Sequence, residues 1–219
     1  MNGVKGILLM AGMGARFGQE TPKQFQPLAG KKVYRWALET MLSSGLFDEI
    51  LLVSPPGWKD EIDQVRIIEG GNTRQESSYL GLLACGPETD IVLIHDGARP
   101  FVSERILREN VEKAKMFGAT NTCIPSADTL VYAPEGTHIS EIPKRAHYLR
   151  GQTPQTFSYP LLLEAHEKGK GGNATDDCQL ILAMGKEVHI VPGNENNLKI
   201  TSPRDLQIAE GLIKRKQPC

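Results

Sequence analysis

Gly6-Ile7-Leu8-Leu9-Met10-Ala11-Gly12-Met13-Gly14-Ala15-Arg16-Phe17-Gly18, continued by Pro22-Lys23-Gln24-Phe25, is the stretch on which the reading of this chain turns. The apolar run over residues 6–10 has the length and composition of a strand buried on both faces, as in a parallel sheet. It empties into a loop with three glycines and fixed positive charges at Arg16 and Lys23. Without Cβ atoms, Gly12, Gly14 and Gly18 let backbone N–H groups press against an anion, and the two side chains add full charges. Such a loop suits a phosphate. Its bland alternative is a glycine-rich turn carrying two solvated cations.

Spacing narrows the class of loop. A dinucleotide fingerprint needs a third glycine where Phe17 stands, and the Gly-Lys-Ser/Thr end of a Walker A loop is missing. A dinucleotide-dependent oxidoreductase is thereby weakened. What remains, Ala-Gly-x-Gly-x-Arg followed by Pro-Lys-Gln, resembles the signature of sugar-phosphate nucleotidyltransferases, enzymes that transfer a nucleoside monophosphate and release pyrophosphate.

Composition sets the limits. At 219 residues the simplest organisation is one domain spanning 1–219. With 25 basic and 26 acidic side chains there is no global basic field, so no nucleic-acid partner is expected, and any anionic ligand must be met by local charge. No apolar run approaches the roughly 20 residues a membrane helix needs, and the N-terminus lacks a signal-peptide layout. A cytoplasmic location and no membrane partner are the expectation. Cys85, Cys123, Cys178 and Cys219 are scattered, with no C-x-x-C pair, and read as small hydrophobes or, for Cys219, a tail residue.

Along the chain, apolar spacing predicts a helix over 33–44, a strand over 50–53, a polar helix over 58–64 and a strand over 65–69. Strand–helix alternation of this kind assembles a parallel, right-handedly connected sheet. Gly70-Gly71-Asn72-Thr73-Arg74-Gln75-Glu76-Ser77 is a second glycine-led loop entering a helix; it reads either as a plain helix cap or as bare backbone offered to a base edge. The third loop follows the apolar run 91–94: His95-Asp96-Gly97-Ala98-Arg99-Pro100-Phe101 puts a carboxylate and a guanidinium at the carboxyl end of a buried strand, where open α/β sheets bind ligands. Asp96 can hold Mg²⁺ and Arg99 a phosphate, or the two can form an ion pair that braces the turn. His95 reads as structural.

After Ser126 the pattern becomes a hairpin, strand-like over 128–132 and 138–142, with Pro143-Lys144-Arg145-Ala146-His147-Tyr148-Leu149-Arg150 as a cationic stretch. It is either a solvated tip or an arm reaching a second subunit. Gly151 to Phe157 reads as the approach to a helix over 159–168. Asp176 and Asp177 read as helix-capping acids, a last strand lies over 188–191, and Ser202-Pro203-Arg204-Asp205 opens the final helix.

Six motifs stand in order: Ala-Gly-x-Gly-x-Arg with Pro-Lys-Gln at 11–24, Gly-Gly-x-x-Arg-x-x-Ser at 70–77, His-Asp-x-Ala-Arg-Pro-Phe at 95–101, Gln-Thr-Pro-Gln-x-Phe at 152–157, Thr-Asp-Asp at 175–177, and Asn-x-Lys-Ile-Thr at 197–201. Together they resemble the methylerythritol-phosphate cytidylyltransferases over essentially the whole chain. The resemblance implies an α/β three-layer sandwich with a mostly parallel, Rossmann-like sheet and a protruding β-hairpin arm at about 127–151. It implies transfer of CMP from CTP to 2-C-methyl-D-erythritol 4-phosphate in non-mevalonate isoprenoid precursor biosynthesis. It also implies catalytic roles for Arg16, Lys23 and Lys199, CTP contacts from Ala11, Gly12, Gly14, Gly71, Asn72 and Ser77, sugar-phosphate contacts from Arg99, Thr129, Arg145, Thr153 and Lys199, and Mg²⁺ at Asp96. A homodimer is implied too, in which the arm completes the partner's active site. Two positions depart from the family pattern: Gly97 replaces an alanine, and Asn72 stands where an acid is frequent. Arg150-Gly151-Gln152 before Thr-Pro-Gln also resembles ribitol-5-phosphate cytidylyltransferases, which make CDP-ribitol. A nucleotide-binding module without catalysis is the alternative of another class.

Overall fold

The computed structural model describes residues 3–12, 21–58 and 62–216. The N-terminal apolar run forms β1 (Gly3–Leu9), and the chain continues through β2 (Pro27–Leu28), β3 (Lys31–Lys32), α1 (Val33–Ser43), β4 (Glu49–Ser54), β5 (Arg66–Glu69) and α2 (Arg74–Cys85). Next come β6 (Thr89–Asp96), α3 (Glu104–Phe117), β7 (Ala119–Pro125), β8 (Leu149–Ser158), α4 (Tyr159–Lys168), α5 (Asp177–Ala183), β9 (His189–Pro192) and α6 (Pro203–Lys216). Seven strands make one sheet in the order β5-β4-β1-β6-β8-β7-β9. All its pairings are parallel except those of β8, which runs antiparallel to both β6 and β7.

Side-chain alternation along the strands builds the two faces of the sheet. Leu8, Leu52 and Leu93 pack on one face with Tyr34, Leu38 and Met41 of α1 and Ile106 and Leu107 of α3. Their neighbours Ile7, Leu51, Val92 and Ile94 pack on the other face with Leu82 of α2, Leu162 of α4 and Ile181 of α5. Each of these fully buried aliphatic side chains contributes about 1.5–3 kcal/mol, which is why strands covered on both sides read as unbroken apolar runs. α6 closes a smaller cluster, setting Ala209 and Ile213 against Leu28, Val33 and Ile200. At Gly81 a side chain has no room: a Cβ there would lie 2.8 Å from Val53 Cγ2, so glycine lets α2 sit close on the sheet.

Side-chain caps open three of the helices. Thr73, Ser103 and Asp176 each accept a hydrogen bond from a backbone N–H of the helix they precede. Asp205 Oδ2 accepts from the N–H groups of Thr201 and Ser202, both at 2.9 Å. α3 ends at Gly118, whose φ of 85° suits glycine and whose N–H bonds Ala114 O at 2.8 Å.

The structure corrects four local readings. Of the helix expected over 58–64, residues 59–61 lie outside the described residues; the described ones are not helical, and Asp63 and Gln64 make a turn, with Gln64 at φ 70°. β7 was not anticipated, and 151–157, which does lead into the helix over 159–168, is itself most of β8. Its polar sequence conceals a strand because Gln152, Thr153, Gln155 and Thr156 are buried against side-chain and backbone partners rather than against apolar ones. The hairpin arm is present, but its ladder shrinks to one antiparallel bridge between Tyr132 and Glu141, and its flanks at 128–131 and 138–140 form no strand.

Candidate active site

Three parallel strands, β5, β1 and β6, with β4 between the first two, release their loops at one edge of the sheet. Met10 N–H bonds Val53 O at 2.7 Å, Gly97 N–H bonds Leu9 O at 2.9 Å, and Gly70 N–H bonds Ser54 O at 2.8 Å. The loops after β1, β5 and β6 therefore leave the sheet side by side. A fourth segment joins them when Ile200 N–H bonds Ala98 O at 2.8 Å, which brings Lys199 to the same edge. Between them lies a cavity of about 490 Å³, lined by Ala11, Gly12, Lys23, Gly71, Asn72, Arg74, Ser77, Asp96 and Lys199, among others.

Each wall is held by specific contacts. Gln24, buried beneath the first loop, donates its Nε2 to Met10 O at 2.5 Å and Gly12 O at 2.9 Å, so the chain carrying Lys23 is tied to the exit of β1. In the second loop Glu76 Oε2 accepts from Asn72 N–H at 2.7 Å, and Ser77 Oγ accepts from Gly71 N–H at 3.1 Å while donating to Thr73 O at 2.9 Å. A Cβ on Gly70 would run into Ala11 Cβ, which shows how tightly the first and second loops meet.

Asp96 is the focus of charge. Lys199 Nζ lies 2.7 Å from Asp96 Oδ2, and Arg99 Nε lies 3.9 Å from the same oxygen, beyond hydrogen-bond reach. Burial alone would raise the Asp96 carboxyl pKa. The charges of Lys199, Arg74 and Arg99 outweigh that effect and hold it below the usual carboxylate range. Asp96 is therefore an anion at neutral pH. Its other oxygen, Oδ1, accepts no hydrogen bond among the described residues.

A second buried carboxylate stands behind the cavity. Asp177 accepts from Arg74 Nη1 at 2.8 Å, Ser78 Oγ at 2.8 Å and His166 Nε2 at 3.1 Å. Burial pulls its pKa upward, but Arg74 and His166 bring it down to about 2. Arg74 is correspondingly pushed above its ordinary value, because Asp177 and Asp96 outweigh its own burial. It projects as a permanent cation from the first turn of α2 into the cavity lining.

The sequence pattern of the 2-C-methyl-D-erythritol 4-phosphate cytidylyltransferases matches residues 4–215. This chain belongs to that family. The cytidylyltransferase of Pelotomaculum thermopropionicum is 36% identical, over 99% of this chain and 97% of its own length. That of Alkaliphilus oremlandii is 37% identical, over 96% and 95%. Among solved structures, the 2-C-methyl-D-erythritol 4-phosphate cytidylyltransferase of Thermus thermophilus superposes with a TM-score of 0.82 at 36% identity, covering 95% of this chain and 98% of its own. The 4-diphosphocytidyl-2C-methyl-D-erythritol synthase of Anaerococcus prevotii gives 0.86 at 29%, covering 98% and 97%.

Within this cytidylyltransferase fold, Ala11, Gly12, Lys23, Gly71, Asn72, Ser77, Asp96 and Lys199 come together around one cavity. Arg99 and Thr153 lie buried just behind Asp96: Arg99 donates Nη1 to Asn197 O at 2.8 Å, and Thr153 Oγ1 accepts from Asp96 N–H at 3.0 Å. Thr129 and Arg145 do not join them. Both are exposed on the arm, where Arg145 Nη1 donates to Ala127 O at 2.7 Å. Arg16 and Gly14, with Gly18, fall outside the described residues. Roles for Gln24, Arg74 and Asn197 were missed in the sequence reading, although each is a fixed letter of a quoted motif. Their importance rests on partners far along the chain.

Proposed function

We propose that this chain transfers the cytidylyl group of CTP to 2-C-methyl-D-erythritol 4-phosphate, giving 4-diphosphocytidyl-2-C-methyl-D-erythritol and pyrophosphate, in non-mevalonate isoprenoid precursor biosynthesis. The carrying observation is the single cavity in which two glycine-led loops face Lys23, Arg74, Lys199 and the ionised Asp96. A phosphate oxygen of the acceptor attacks the α-phosphorus of CTP, the bond to the β-phosphate oxygen breaks, and pyrophosphate leaves with the electron pair. That oxygen is already nucleophilic at neutral pH, so the work lies in bringing two anions together and matching the charge of the transition state.

Lys23, with Arg16, grips the triphosphate. Lys199, Arg99 and Thr153 serve the acceptor's side, and Gly71, Asn72 and Ser77 offer backbone and small polar groups to the cytosine. A divalent cation fits this donor set only together with substrate phosphates. Among the described residues no cluster of three or more His, Cys, Asp or Glu could hold a metal, and Asp96 supplies one carboxylate, the arrangement Mg²⁺ favours. Mg²⁺ held by Asp96 would neutralise phosphate charge.

The arm supports an exchange between two copies. Val131, Tyr132, Ile139, Ile142, Tyr148 and Leu149 are all large apolar side chains between 42% and 62% exposed, more than a solvated tip requires. Buried against a second copy, they would bring Thr129 and Arg145 to the partner's acceptor site. Among the described residues no helix is long and apolar enough to cross a membrane, and we assign the reaction to the cytoplasm.

The deciding assay incubates the protein with CTP, Mg²⁺ and each polyol phosphate in turn and follows pyrophosphate release. Turnover with 2-C-methyl-D-erythritol 4-phosphate and not with ribitol 5-phosphate supports the proposal. The reverse preference, or CTP binding without turnover, overturns it.

A further inference from the structure

The β6–β8 ladder stops one step short of the active site. Its antiparallel register pairs Ile91 with Ser158 and Ile94 with Gln155, so the next residues, His95 and Asp96, come opposite Pro154 and Thr153. Proline has no N–H to continue the ladder. Side chains take over where the backbone cannot. Asp96 N–H donates to Thr153 Oγ1 at 3.0 Å, and that hydroxyl lies 3.0 Å from His95 Nδ1. His95 Nε2 lies 3.1 Å from Arg99 O. Arg99 Nη1 donates to Asn197 O at 2.8 Å, and Asn197 Nδ2 donates to Thr153 O at 2.8 Å. The path returns to its start.

The proton positions in this circuit follow from its acceptors. A carbonyl oxygen only accepts, so Nε2 of His95 carries the hydrogen that bonds Arg99 O. Thr153 Oγ1 already accepts from Asp96 N–H, and its own hydrogen has Nδ1 of His95 to go to. One donor and one acceptor on opposite sides of a rigid ring are what the gap between Thr153 and Arg99 demands. All four members are buried, His95 and Asn197 completely. Three groups of the proposed chemistry hang from them: Asp96 and Arg99 directly, and Lys199 two residues after Asn197.

We propose that His95 is a positioning residue for cytidylyl transfer: with Thr153, Arg99 and Asn197 it closes a buried hydrogen-bond circuit that aims Asp96 and Lys199 into the cavity and fixes Arg99 behind them. The inference rests on the transfer reaction proposed above and adds a residue that touches no substrate. It also gives the Thr153 hydroxyl an internal task, since its hydrogen is committed to His95. Residues 71–77, on the opposite wall, take no part in the circuit.

Two measurements test it. Nitrogen-15 NMR of the folded wild-type protein at pH 7 reads the His95 tautomer without any turnover, so it separates this inference from the function it rests on; the Nε2–H form is expected, and an Nδ1–H form overturns the circuit. In steady-state kinetics, Thr153→Val and His95→Phe should each lower kcat by about 10- to 100-fold while equilibrium CTP affinity stays within about twofold, the usual size of losing an orienting partner. Thr153→Ser, which keeps the hydroxyl, should restore most of kcat. His95→Gln, which keeps one donor and one acceptor, should exceed His95→Phe. The double variant His95→Phe/Thr153→Val should be no worse than the poorer single one. Wild-type kcat in Thr153→Val, or losses that multiply in the double variant, overturns the proposal. Should His95→Phe not fold, Thr153→Val and the tautomer decide.

Discussion

Lys199 Nζ sits 2.7 Å from Asp96 Oδ2, although 103 residues separate them in the chain, and the pair forms part of the cavity wall that faces the glycine loops. In the free protein the carboxylate fixes the ammonium, so Lys199 is ordered before any phosphate arrives. The Ile200 N–H to Ala98 O bond clamps the backbone beside it. A cation held in advance loses little freedom when it meets the charge developing at phosphorus, which is the advantage of preorganised electrostatics.

Removal of either lysine should therefore damage rate more than fold. Lys23→Ala and Lys199→Ala are each expected to lower kcat by about 100- to 1,000-fold, the cost typical of deleting one transition-state donor, with circular-dichroism melting close to wild type. Near-normal pyrophosphate release from both variants would rule out the charge-clamp mechanism.

Gln24 should behave differently, because its two hydrogen bonds hold the backbone of the first loop. Gln24→Glu replaces the donating amide with an acceptor facing two carbonyl oxygens. A stability loss of about 1–3 kcal/mol in urea unfolding is expected, together with weaker CTP binding, because the loop loses its anchor. Unchanged CTP affinity would show that Lys23 and Gly12 keep their places without it.

Arm exchange makes a numerical prediction for mixed dimers. Under the proposed exchange, Arg145→Ala would disable the arm that serves the partner, whereas Lys199→Ala would disable a protomer's own site. A heterodimer of the two keeps one intact site, so unfolding and reassembling the two inactive proteins together should recover up to about a quarter of wild-type turnover. No recovery, with dimers present by sedimentation, would place Arg145 in the site of its own chain.

Asp177 sets a pH limit on stability. Its pKa in the fold is brought down to about 2, below the ordinary carboxylate value, so the unfolded chain binds its proton first as pH falls. The stabilisation from this group is complete above the unfolded pKa, near 4, and disappears as pH drops through the folded value. Its size is about 2 kcal/mol. Acid unfolding of the wild type should steepen between about pH 4 and pH 2 relative to Asp177→Asn, whose stability should vary less over that window. Equal slopes would mean that the Arg74 and His166 contacts do not hold the ionised form.

Much of the scaffold was legible in local pattern. The apolar runs of β1, β4 and β6 announce strands buried on both faces, and the loop at 70–77 and Asp176 announce helix starts, because periodicity and capping act within a few residues. The three glycine or acid loops could be assigned to one sheet edge because parallel strands must release their loops on the same side. β8 was hidden for the opposite reason. Gln152, Thr153 and Gln155 look like loop residues in sequence, and they are stable inside the sheet because Asn194, His95 and Asp176 meet them from distant parts of the chain.

The sequence by itself determined the buried parallel strands β1, β4 and β6, the residue types of the loops that follow β1, β5 and β6, and the family, since these depend on residue type and spacing. Tertiary structure alone decided that Lys199 pairs with Asp96, that Arg74 is held by Asp177, and that His95 bridges Thr153 to Arg99. A buried polar side chain is tolerated only where its partners converge, and that convergence is a property of three dimensions that no local period records.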